Sequence, residues 1–203
     1  MSFESNQRIG CLKMNVIETD IPGVVVIEPR IFKDERGYFF EAFNEREFAE
    51  KVRPVHFVQD NESRSVKGVV RGLHFQKPPY AQSKLVRVVK GEVLDVAVDI
   101  RKGSPTFGKY VAVKLSADNH LQVFIPRGFA HGFCVLSDEA VFQYKCDNYY
   151  APQSEAAVAW DDTEVAVDWQ LPLESIILSD KDRNHPSLRE ADIPFTINHN
   201  LYE

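Results

Sequence analysis

The chain breaks into short runs of β-branched and aromatic residues, each closed by Gly, Pro, Asp, Asn or Ser. That spacing favours an antiparallel sandwich or barrel over any helical or α/β layout. The runs are "GVVVIEP", "GYFFEAF", "KLVRVV", "EVLDVAVDI", "YVAVKL", "LQVFIP", "AVFQYKC" and "AAVAW". In "EVLDVAVDI", Leu94, Val96, Val98 and Ile100 alternate with Val93, Asp95, Ala97 and Asp99, a period of two that predicts one packed face and one polar face. Helix is scarce. The best candidate is "NEREFAEKV", with Asn44 at the capping position, Glu47 three residues on to close a capping box, and Pro54 after the end.

A length of 203 residues suits one well-buried core. No repeat or low-complexity tract divides the chain, so residues 14–203 read as one domain. Residues 1–13 read as a loosely ordered extension, because patterning begins only at Met14. The tail from about Leu171, with "LSDKDRNHPSLREADIP", reads as loops and turns packed over the β core. No run approaches the ~18 apolar residues of a membrane span, and the N-terminus lacks the apolar centre of a secretory signal. A cytoplasmic protein without membrane association is expected. Cys11, Cys134 and Cys146 are odd in number and lack CxxC or Cys/His metal spacing, so they read as reduced thiols without assigned chemistry. A net charge of −6 argues against a nucleic-acid surface, and leaves room only for local basic clusters that hold a small anion.

One segment that concentrates residues with chemistry is "FQYKCDNYYAPQSE", and two more are "VVRGLHFQ" with the following "SKLVRVVKGE", and "FIPRGFAHGF". Together the last two resemble the two motifs of the cupin jelly roll, which implies a mainly β, cupin-type sandwich or barrel with a few short helices. Metal-binding cupins supply His-x-His and a Glu from the first motif and a third His from the second. Here His74 is present, but Gln76 stands at the second His position and no acid lies between Phe75 and Gly91. That interval carries Lys77, Lys84, Arg87 and Lys90 instead. A pocket holding His74, His131 and these cations repels a metal ion and attracts a phosphate-bearing ligand. Taken singly, each residue also has a plain structural reading: His74 as a hydrogen-bonded core histidine, His131 as a loop support, Tyr144 as a core aromatic, the cations as a solvated strand face. Their conjunction at motif spacing shifts the balance. His56, His120, His185 and His199 show no partner pattern and receive no role.

Longer blocks carry a more specific resemblance. "KDERGYFFEAF", "FVQDNESRS", "RGLHFQ", "GEVLDVAVDIRKGSPTFGKY", "IPRGFAHGFCVLSDEAVFQYKCDNYYAPQSE" and "LSDKD" follow one another over about residues 15 to 183, and they resemble the dTDP-4-dehydrorhamnose 3,5-epimerase family. The resemblance implies a homodimeric cupin, with neither metal nor cofactor, that inverts C3 and C5 of dTDP-4-dehydro-6-deoxy-D-glucose. It implies His74 as base, Asp182 behind it with Asp180 as runner-up, Tyr144 as acid on the far face, and Lys84 near O4. It further implies Arg71 and the cationic wall at the diphosphate, and Tyr150 stacked on thymine. Arg36, Phe39, Glu41, Gln59 and Asn61 fall on nucleotide-contacting positions, and His131, Glu155 and Lys181 on further substrate contacts. Two departures are small: Asp147-Asn148 replaces the commoner Thr-Asp pair, and Tyr110 stands where Trp is common. The chemistry suits these residues. C3 and C5 flank the C4 ketone, so loss of either proton gives an enolate, and inversion needs a base and an acid on opposite faces. Three rivals remain at this point: a single-centre epimerase on a related dTDP-4-keto-6-deoxy sugar, a metal-dependent cupin oxygenase, and a non-catalytic sugar binder.

Overall fold

The computed structural model describes residues 14–202; the extension over residues 1–13, with Cys11, lies outside them. The chain runs β1 (Asn15–Glu18), β2 (Val25–Glu28), β3 (Phe32–Asp34), β4 (Gly37–Phe39), α1 (Glu45–Lys51), β5 (Gln59–Val66), β6 (Val70–Gln76), β7 (Lys84–Lys90), β8 (Glu92–Asp99), β9 (Tyr110–Ser116), β10 (Gln122–Ile125), β11 (Phe129–Val135), β12 (Glu139–Cys146), β13 (Glu155–Ala157) and α2 (Asp180–Arg183). Two sheets hold the core: six strands in the order β1-β2-β10-β7-β12-β5, and five in the order β13-β6-β11-β8-β9. Every pairing within them is antiparallel. This is the cupin-type jelly roll that the turn spacing and motifs led one to expect. No helix among the described residues is long and apolar enough to cross a membrane.

Three apolar layers explain why the strands read as they do. Between the sheets, Val86, Val88, Val123 and Phe142 meet Val93, Ala97, Phe129 and Phe133, and the Phe133 and Phe142 rings stack at 4.2 Å. Outside the five-stranded sheet, Leu94, Val96, Val98 and Ile100 pack beneath Val158, Trp169, Leu188, Ile193 and Phe195, so the tail is a lid on the core, as expected. Outside the six-stranded sheet, α1 sets Phe48 against Val25, Ile27, Leu85 and Phe124. The prediction of one polar face for β8 is therefore corrected. Asp95 and Asp99 are buried along with Val93 and Ala97, because the tail covers one face of β8 and the opposing sheet covers the other. Asp99 accepts from Arg101, Ser104 and Thr106, which offsets the cost of burying its charge.

Helix α1 begins as predicted, with Asn44 Oδ1 accepting from Glu47 N at 3.1 Å. The capping box does not close: Glu47 Oε1 accepts from Met14 N and Lys51 Nζ instead. At the crossing of β6 and β11, Gly72 (φ 144°) faces Gly132. A Cβ on Gly72 would lie 2.5 Å from Gly132 Cα, and one on Gly132 would lie 2.6 Å from Arg71 O. Only glycine permits this approach, and it lets His74 pair in register with His131.

Candidate active site

Alternation along β6 decides where His74 points. Leu73 and Phe75 enter the tail-covered layer, so the imidazole between them faces the space between the sheets. Its Nε2 lies 2.6 Å from Asp182 Oδ1. Asp182 reaches this spot because α2 is capped by Ser179, whose hydroxyl accepts from Asp182 N at 3.1 Å and donates to Asp182 Oδ2 at 2.6 Å. Burial alone would raise the Asp182 carboxyl, but the hydrogen bonds from His74 and Ser179 outweigh it and hold the group well below the usual carboxylate range. A carboxylate can only accept, so Nε2 carries the proton and Nδ1 keeps a lone pair. Of the two aspartates weighed from sequence, Asp182 is the one that meets His74, while Asp180 is exposed.

The opposite wall comes from the six-stranded sheet. In β7, β12 and β5 the register sets Lys84 beside Cys146, Tyr144 beside Asn61, and Cys146 beside Gln59, so these residues share the inward face. His74, Lys84, Tyr144, Asn61, Gln59, Tyr150 and Glu155 all line one cavity of about 90 Å³. Burial pushes the Lys84 ammonium below its ordinary value, against the opposing pull of Cys146, Asp95 and Glu155. Burial, then nearby Cys146, pushes the Tyr144 phenol up, so it stays a proton donor at neutral pH. At the mouth, Glu155 Oε2 accepts from Tyr150 Oη at 2.8 Å and Lys181 Nζ at 2.5 Å, and the Tyr150 ring is 54% exposed, open to a flat partner.

Several expectations need correction. The cationic wall is not one wall. Lys84 lines the cavity, but Arg87 lies on the other face of β7 and bonds Gln143, Lys77 pairs with Asp192, and Lys90 pairs with Glu139. Arg71 is exposed and donates to Ser65 Oγ at 3.1 Å. His131 does not line the cavity; it is buried with Nε2 2.7 Å from Asp95 Oδ1, and burial holds it below its ordinary value despite Asp95. Arg36, Phe39 and Glu41 also lie away from His74. Arg36 pairs with Asp34 within the β3–β4 turn, and Glu41 accepts from Asn44. The departure at Asp147-Asn148 is structural, since Asp147 accepts from Ser83 N at 2.6 Å and Arg127 Nε at 3.1 Å. Burial pushes the free thiols of Cys134 and Cys146 up to about 11, which keeps them unreactive.

Two residues gained no role from sequence. Gln76, at the vacant second-His position, is 5% exposed; its amide donates to Tyr80 O and Tyr149 O and accepts from Ala151 N, tying down the loop that carries Tyr150. His185 packs edge-on against His74, with centroids 5.5 Å apart. The sequence reading gave it no role: Asp182 lies only three residues before it, but the ring it packs against, His74, lies on a distant strand.

A family model described as dTDP-4-dehydrorhamnose 3,5-epimerase matches residues 18–190. The protein of that name from Shigella flexneri is 58% identical over 180 residues, covering 88% of this chain and 98% of its own length. Among solved structures, a dTDP-6-deoxy-D-glucose-3,5-epimerase from Legionella pneumophila in complex with dTDP-4-keto-L-rhamnose superposes with a TM-score of 0.85 at 51% identity, over 88% of this chain and 94% of that one. A 3'-monoepimerase from Streptomyces bikiniensis in complex with dTDP-quinovose gives 0.79 at 35%, over 85% and 87%.

Proposed function

We propose a mechanism from the premise that this chain belongs to the dTDP-4-dehydrorhamnose 3,5-epimerase family. It is an isomerase that inverts C3 and C5 of dTDP-4-dehydro-6-deoxy-D-glucose on the route to dTDP-L-rhamnose. In the proposed mechanism, His74 Nδ1 removes the proton from C3 or C5, and Asp182 stabilises the imidazolium that results. Charge then develops on O4, where the Lys84 ammonium is worth about 3 kcal/mol or more. Tyr144, reaching in from the opposing sheet, returns a proton to the other face of the ring. The observation that carries this reading is the arrangement of the cavity: a carboxylate-backed imidazole on one sheet faces a half-buried phenol and ammonium on the other.

The substrate's nucleotide would run past Gln59 and Asn61 to the Tyr150 ring, with Arg71 at the diphosphate. Arg36, Phe39 and Glu41 complete the site from a second copy of the chain in a homodimer. Support for this comes from the hairpin itself, where Tyr38 and Phe39 are 59% and 63% exposed on an element that adds nothing to the cavity of its own chain. Cytoplasmic location agrees with the free thiols. In D₂O, incubation with dTDP-4-dehydro-6-deoxy-D-glucose places deuterium at both C3 and C5, read by NMR, and His74→Ala abolishes both while the chain still folds. Exchange surviving in His74→Ala would refute the assignment of the base, and exchange at C3 alone in the wild type would favour the single-centre reading.

A further inference from the structure

We propose that His74 Nε2, Asp182 Oδ1 and His185 Nε2 form an inhibitory site for a divalent cation of the Zn²⁺ type, whose binding switches the enzyme off. Each residue offers one donor atom, and the three lie within 4.8 Å of one another. A tetrahedral Zn²⁺ with ligands at about 2.0–2.1 Å sets its donors about 3.3 Å apart. The His185–Asp182 separation is already 3.4 Å, and the 2.6 Å His74–Asp182 contact needs to open by less than an ångström once the proton between them leaves. His185 Nε2 supplies the independent reason to expect a ligand here. The atom is buried and, among the described residues, has no hydrogen-bond partner beyond the long 3.4 Å approach of Asp182 Oδ1, a condition native interiors rarely tolerate. A cation seated on the trio satisfies it.

The surroundings suit a metal. Ser179 holds the far oxygen of Asp182, which aims Oδ1 at the two imidazoles, as outer partners do in metal sites. The trio leaves the fourth tetrahedral position to water. It shares only His74 with the cupin cation position, since Gln76 is committed to backbone groups and His131 to Asp95. The shut-off follows from proton bookkeeping. A metal on His74 Nε2 takes that nitrogen's lone pair, and the proton moves to Nδ1. The ring remains neutral, nothing is oxidised, and Nδ1 no longer has a lone pair for C3–H or C5–H. This consequence rests on His74 being the base, whereas the binding does not.

The full chain is titrated with Co²⁺, read by the visible absorption of tetrahedral cobalt, and with Zn²⁺ against a chelating dye, while deuterium exchange at C3 and C5 is followed. A single equivalent should bind per chain, exchange should fall with occupancy, and EDTA should restore it. His185→Gln should weaken Zn²⁺ binding by more than the roughly 10–100-fold that loss of an outer partner costs, and should stay active at Zn²⁺ levels that silence the wild type. Ser179→Ala, which keeps all three donors, should weaken binding by about that 10–100-fold; His56→Gln, at an exposed histidine, should not. Equal Zn²⁺ affinity in the wild type and His185→Gln would overturn the site. A zinc-loaded wild type that still exchanges both protons would overturn the shut-off and, with it, the role of His74.

Discussion

Asp182→Asn isolates one physical term, the tautomer of His74. The native carboxylate accepts from His74 Nε2 at 2.6 Å and from Ser179 Oγ at 2.6 Å. An amide fits the same space and keeps both bonds, with its oxygen accepting from Ser179 and its nitrogen donating to His74. That donation requires a lone pair on Nε2, so the imidazole proton moves to Nδ1 and the base is lost. In other His–Asp pairs a wrong tautomer costs about 10⁴ in kcat, equivalent to about 5.5 kcal/mol. Stability should fall far less, by roughly 1–2 kcal/mol, because two charge-assisted bonds become neutral ones. The assay is the rate of deuterium entry at C3 and C5 by NMR, beside urea unfolding of the same preparation. Asp180→Asn, one residue from Lys181 and exposed, should leave both readings unchanged. A folded Asp182→Asn enzyme that loses less than about tenfold, or an equal loss in Asp180→Asn, would refute the tautomer argument.

Tyr144→Phe should slow completed inversion by about 10²–10⁴ while sparing the first proton loss, a split visible as exchange without product; equal loss of both would remove Tyr144 as the acid. Gln76→Ala gives up three hydrogen bonds to loop backbone, so urea unfolding should show a loss of about 3 kcal/mol and KM should rise as Tyr150 loosens. Mixing His74→Ala with Arg36→Ala chains should restore activity that neither has alone, since one hybrid site then carries both native residues; no recovery would return Arg36 to its own chain. Burial holds His131 and His185 below their ordinary value of 6.5. The unfolded chain therefore binds more protons as pH falls through that value, and stability should drop below it. The depressed Asp182 carboxyl adds a further loss only in strong acid, below its ordinary value of 3.8. A melting temperature flat between pH 7 and 5 would contradict this.

Strand positions were legible wherever one face was plainly apolar, as in β7, β10 and β12. β5, "QDNESRSV", was not, because an edge strand whose alternate residues face solvent carries almost no apolar signal. The face assignment of β8 failed for a related reason. Period two reports that neighbours differ, but not that a second layer will bury the polar set, and Asp95 is accommodated there by its hydrogen bond to the buried His131. The four cations between Phe75 and Gly91 were visible, yet their directions depend on strand parity and on partners such as Asp192 and Glu139 far along the chain. His74, Lys84 and Tyr144 were found through motif blocks. His185 was not, since what distinguishes it is a missing partner, and only three-dimensional neighbours reveal that.

Base and acid stand on different sheets, so no single rigid element fixes the distance between them. The spacer is the greasy filling of the sandwich, above all the stacked Phe133 and Phe142 rings, two residues from Tyr144 along β12. Packed sheets sit about 10 Å apart, and proton delivery tolerates errors well under an ångström. The hydrocarbon interior thus acts as a caliper on stereochemistry: thinning it at Phe142 would retune how often the second face is reached, with every polar group of the cavity left in place.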